Sequence, residues 1–150
     1  MAVATIATGA FLLGHATAWA DGDDGPETCS NRTLHGKYGA LIQGTIALPG
    51  GSLVNGMGLP IRGLSLAEFD GDGHLTQVDH VVDNGVPPTV EWAPGTGIYQ
   101  VNPDCTGSAE INSSSSPFPI KLHFVIVNHG REIDQVVDAN AVTAVARKLE

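Results

Sequence analysis

The chain has 150 residues and a mass of 15.5 kDa; 42% of its residues are hydrophobic, 15% charged and 5% aromatic. That length supports one domain, with no room for a second independent core. Sixteen Asp and Glu against seven Lys and Arg give a net charge of −9, which repels phosphate backbones and excludes nucleic-acid binding through a basic face.

Residues 1–20 contain no Asp, Glu, Lys or Arg. The short apolar stretch around Ala10–Leu13, followed by Ala18-Trp19-Ala20 as an A-x-A cleavage site, predicts a secretory signal peptide. One element of such a signal is missing, because no Lys or Arg follows Met1. The expected organisation is therefore a signal over 1–20, an N-terminal tail over 21–34 and one β domain over 35–150. Such a protein is secreted or periplasmic and has no membrane contact once the signal is cleaved. Its two cysteines, Cys29 and Cys105, are expected to form one disulfide tying the tail to the turn around Asn102-Pro103-Asp104.

Past Leu34, strand-like runs alternate with turn clusters. The runs are Gly36–Leu48, Leu59–Phe69, His74–Asp83, Gly97–Val101, Cys105–Asn112, Phe118–Val127, Arg131–Asp138 and Ala141–Lys148. This is an all-β pattern, and it predicts an eight-stranded antiparallel up-and-down barrel, with a β-sandwich as the alternative.

Turn length sets which side chains share a face. A tight turn at His129-Gly130 puts Ile126 opposite Ile133, Phe124 opposite Gln135 and Leu122 opposite Val137. A turn at Ala139-Asn140 then sets Val137 against Val142 and Ile133 against Ala146. Two opposite-charge pairs fall outside in this register, Lys121 with Asp138 and Glu132 with Arg147. A turn over Asp70–Gly73 directs Phe69, Thr76, Val78, His80 and Val82 inward, with Gln77, Asp79 and Asp83 outward. A three-residue turn at 102–104 directs Tyr99, Val101, Ala109 and Ile111 inward. The first strand contributes Tyr38, Ile42 and Ile46.

In this order the turns at 70–73, 102–104 and 129–130 share one end. The loops at 49–58, 84–96 and 113–117 gather at the other, as around the mouth of a barrel. Trp92 is the expected aromatic edge of that mouth. His80, Tyr99, Gln135 and Tyr38 are the expected polar contacts for a ligand in the lumen.

Other chemistry finds little support. Asp70-Gly71-Asp72-Gly73 lacks the glycine and the bidentate glutamate an EF-hand needs, and reads as a hairpin turn. His74 and His80 lie roughly 20 Å apart along a strand, too far to share a metal, and no metal or cofactor is expected. All strand acids, Asp79 among them, fall on the outer face of this register. No G-x-S-x-G occurs. The candidates for catalysis are His80 as base and Tyr99 as acid.

Four segments carry a resemblance: Gly36–Gly39, Phe69–Leu75 (F-D-G-D-G-H-L), Tyr99–Gly107 (ending in D-C-T-G) and Phe124–Gly130 (F-V-I-V-N-H-G). Together they resemble a group of uncharacterised small exported bacterial β-proteins. The resemblance implies export and a β fold, and implies no reaction. More remotely, eight strands around an apolar lumen are similar to the barrel of allene oxide cyclases and dirigent proteins, a likeness of architecture only. The expected function is binding of a small, mostly apolar ligand in the lumen. The alternatives are an isomerase or cyclase acting there, and a non-catalytic structural or surface-interaction protein. Leu41, Leu64, Leu66, Val125 and Val127 on the outer face are candidates for a homo-oligomer interface.

Overall fold

Eight antiparallel strands, each hydrogen-bonded to the next and the last to the first, close into a barrel. They are β1 (His35–Ala47), β2 (Gly58–Asp70), β3 (His74–Asp83), β4 (Ala93–Val101), β5 (Thr106–Ser113), β6 (Ile120–Val127), β7 (Glu132–Val137) and β8 (Ala141–Lys148). The computed structural model describes residues 28–47, 58–138 and 140–150. The signal reading of 1–20 and most of the 49–58 loop lie outside the described residues. Because β1 pairs with both β2 and β8, the sheet has no free edge and a sandwich is excluded.

Alternation along each strand builds the interior. Tyr38, Ala40, Ile61, Ile111, Leu122, Phe124, Ile126 and Ile133 are buried. Burying a side chain of the Ile, Leu or Phe type contributes about 1.5–3 kcal/mol. The register of the last three strands follows the expected pairing: Ile126 opposite Ile133, Phe124 opposite Gln135, and Ile133 opposite Ala146. Outside, Arg147 Nε donates to Glu132 Oε2 at 2.8 Å, as expected. Lys121 lies opposite Asp138 as expected, the Asp138 N–H donating to the Lys121 carbonyl at 2.8 Å, but its ammonium does not pair with that carboxylate. It lies 3.5 Å from Glu110 on β5, while Asp138 pairs with His123 at 2.9 Å.

Strand β3 is inverted relative to expectation. Phe69 sits opposite Leu75, so the turn holds three residues, Gly71 to Gly73, where the sequence reading had four. Asp70 causes this, because its Oδ1 accepts the N–H groups of Asp72, Gly73 and His74 at 2.7–3.0 Å and closes the turn one residue earlier. A shift of one residue flips every side chain. Leu75, Gln77, Asp79 and Asp83 therefore face inward, while Thr76, Val78, His80 and Val82 face out. Strand β4 begins at Ala93, four residues ahead of the expected start, since Pro94-Gly95 reads as a turn although Pro94 occupies a strand end.

One end of the barrel is sealed. The Cys29–Cys105 disulfide ties the incoming chain to the β4–β5 turn, with a sequence separation of 76. A single 3-10 turn, Asn31–Thr33, then delivers Leu34 into the core with no exposed surface. The longer connections 84–92 and 114–119 lie at the opposite end. A disulfide fits an extracellular or periplasmic location. Among the described residues no helix is long and apolar enough to cross a membrane.

Candidate functional site

The lumen is packed through its middle. Gln135, Gln77, Ser65 and the apolar chains around them line a void of about 30 Å³. Pockets that take a drug-sized ligand run to roughly 300 Å³ or more, so this void is about an order of magnitude too small for one. Gln135 therefore faces the interior as expected, beside a space too small for a drug-sized ligand.

The two tyrosines belong to the sealed end. Tyr38 Oη donates to the Gly130 carbonyl at 2.6 Å. Tyr99 Oη accepts the Gly71 N–H at 3.0 Å and shares its proton between the Asn31 and Leu34 carbonyls, each 3.1 Å away. Phe69 stands between the rings, edge-on to both. Burial raises the pKa of both phenols. Neither hydroxyl reaches the long-loop end, so the expectation that Tyr99 lies beneath the mouth is corrected: β4 runs downward from Ala93, and Tyr99 sits near its far end.

His80 is also displaced from its expected position. On the outer face of β3, its Nδ1 donates to the Glu91 carbonyl at 2.6 Å, and its ring lies 5.8 Å from that of Trp92. The structure thus brings His80 and Trp92 together, on the outside of the long-loop end. It separates both from Tyr99, so the His80–Tyr99 acid–base pair does not exist.

Beneath the long-loop end lies a residue that the inverted β3 concealed. Asp79 is 3% exposed and points inward. Its Oδ2 accepts Ser113 Oγ at 2.8 Å and Gln77 Nε2 at 3.1 Å. Its Oδ1 is buried and has no hydrogen-bond partner among the described residues. Asp83, two pleat repeats further toward the loops, likewise has a buried Oδ1 without one among the described residues. An inward-facing carboxyl of this kind is costly to bury and calls for a donor.

The geometry depends on β4. Gln77 on β3 and Ser113 on β5 both pair with Gly95, which lies between them. With no side chain at Gly95 and only a methyl at Ala93, Asp79 reaches over β4 to Ser113. A Cβ at Gly95 would come within 3.2 Å of the Gln77 side chain and 3.1 Å of the Asn112 carbonyl. Among the described residues no group of His, Cys, Asp and Glu could hold a metal ion. The arrangement can bind a hydrogen-bond donor or a cation, and it offers no nucleophile activated by a base. No family model matches the chain, and comparison with curated proteins and with solved structures found no significant similarity.

Proposed function

We propose that this chain is an exported barrel, delivered by the signal peptide at 1–20, that holds a small molecule at its long-loop end. The observation that carries this reading is the buried Asp79 Oδ1, which faces inward without a partner among the described residues. The void in the middle of the lumen, about 30 Å³, is too small for such a ligand, which favours the level of Asp79, Asp83 and the loops. The ligand class follows from the lining. Ile61, Ala93 and Val142 suit an apolar body, and Asp79 suits one donor group, an ammonium or a hydroxyl. The inward acid adds one donor-binding group to the mostly apolar ligand expected from the sequence.

The test is a titration of the folded protein with a primary alkylamine and with the alcohol of the same chain length, followed by amide chemical shifts. Shifts concentrated at Asp79, Gly95 and Ser113, stronger for the amine and lost in Asp79→Asn, support the reading. Absence of such shifts, or equal shifts in Asp79→Asn, overturns it.

A second reading is favoured by the packed interior: a non-catalytic structural or surface-interaction barrel whose lumen is simply a core. The same titration separates the two. The isomerase or cyclase alternative has lost its acid–base pair, because His80 lies outside and Tyr99 at the sealed end.

A further inference from the structure

The outer face of β2 carries Arg62, Leu64, Leu66 and Glu68 at successive alternate positions, all four exposed. Leu64 and Leu66 are 52% and 37% exposed. The apolar surface continues sideways. Leu64 pairs with Leu41 on β1, and Leu41 with Val145 on β8, while Leu66 pairs with Val78 on β3. Leu41 is 56% exposed and Val145 37%. Four neighbouring strands thus present one apolar face, of the kind that marks an interaction site.

The charges at the ends of this face are opposite in sign and equidistant from its centre. Rotation by half a turn about an axis that lies in the interface and crosses β2 at position 65 exchanges Arg62 with Glu68 and Leu64 with Leu66. A second copy laid face to face with its β2 antiparallel places its own Glu68 over Arg62 and its own Arg62 over Glu68. Isologous two-fold contacts require this self-complementarity. Neither Arg62 nor Glu68 takes part in an ion pair among the described residues. Lys37, the cross-strand neighbour of Glu68, adds positive charge at that end, and Gln43 beside Arg62 is neutral.

We infer that the chain forms a two-fold dimer through the outer face of β2 and its neighbours β1, β3 and β8, with Arg62 of each copy paired to Glu68 of the other. The apolar area spans about four strands at ~4.8 Å spacing and four outward residues of β2. That is smaller than the roughly 800 Å² per partner of a standard interface, so the dimer is a reversible one. The net charge of −9 opposes it.

The experiment is sedimentation velocity of the full chain over a dilution series, with thermal melts to confirm that each variant is folded. The wild type shifts between dimer and monomer. Arg62→Glu or Glu68→Arg alone sets like charges against each other at both ends, and each weakens association by roughly ten-fold. The double swap Arg62→Glu with Glu68→Arg restores it, and Leu64→Glu abolishes it. A wild type that stays monomeric throughout the series overturns the inference. So does a double swap no better than the single variants. Neither result bears on the Asp79 site, which lies inside the barrel.

Discussion

Asp79 and Ser113 meet across an intervening strand: the 2.8 Å hydrogen bond between them joins β3 to β5 inside the barrel, above Gly95 of β4. The contact pins three strands at the level where the packed core gives way to the long loops.

Removing the donor should therefore be costly. Ser113→Ala leaves a buried carboxyl oxygen with only Gln77 for a partner, a loss of about 1–3 kcal/mol. Gly95→Val should cost at least as much, because the new side chain occupies the space the bond crosses. Urea unfolding of both variants measures this. A change within a few tenths of a kcal/mol for Ser113→Ala would show that Asp79 is not held as described.

The disulfide makes a second prediction. Thiol titration of the unreduced, denatured protein should find no reactive thiol, since Cys29 and Cys105 are bonded. Replacing both with Ser should lower stability by about 2–5 kcal/mol. The loss should appear as faster amide exchange at Asn31–Leu34 and around Gly71, because the seal they form loses its staple.

Stability should fall at both extremes of pH, for different residues. The N–H groups of His74 and Asp72 hold the Asp70 carboxyl below the usual carboxylate range, and the Thr106 hydroxyl and N–H do the same for Asp104. Their folded values are depressed, so their contribution is present above the ordinary value and lost as pH falls through the folded one. Burial raises Tyr38 and Tyr99, so theirs is complete below the ordinary tyrosine value near 10 and lost as pH rises through the raised folded values. Unfolding midpoints across pH should show both limbs. Asp70→Asn should flatten only the acid limb, and Tyr38→Phe only the alkaline one.

A fourth test concerns the faces. Ile133 is 2% exposed, whereas the side chain of Arg147 is 74% exposed. Ile133→Asp should abolish cooperative folding, while Arg147→Ala should cost at most about 1 kcal/mol. Similar small losses for both would contradict the register.

Strands β6 to β8 were legible because apolar alternation and charge pairs agree there: Phe124, Ile126 and Ile133 inward leave Glu132 opposite Arg147 outward. Strand β3 was illegible for the opposite reason. Its Val78 and Val82 look like core and its Asp79 and Asp83 like surface, yet Asp70 fixes the turn length and reverses both. Alternation could not reveal an inward acid, since burial of a carboxyl contradicts the pattern used to assign faces. The F-D-G-D-G string did hold the clue, in an aspartate followed by two glycines able to cap its own turn.

Closure of the barrel also constrains how the chain reaches this state. The seam between β1 and β8 pairs Tyr38 with Lys148, residues from opposite ends of the domain. Every other strand pair joins neighbours in sequence and can form as soon as its hairpin exists. The seam alone requires the whole domain, so loop-closure entropy falls on that step and sets it late. Until then β1 and β8 are open edges with Leu41 and Val145 beside them, the surfaces on which an unfinished chain would pair with another.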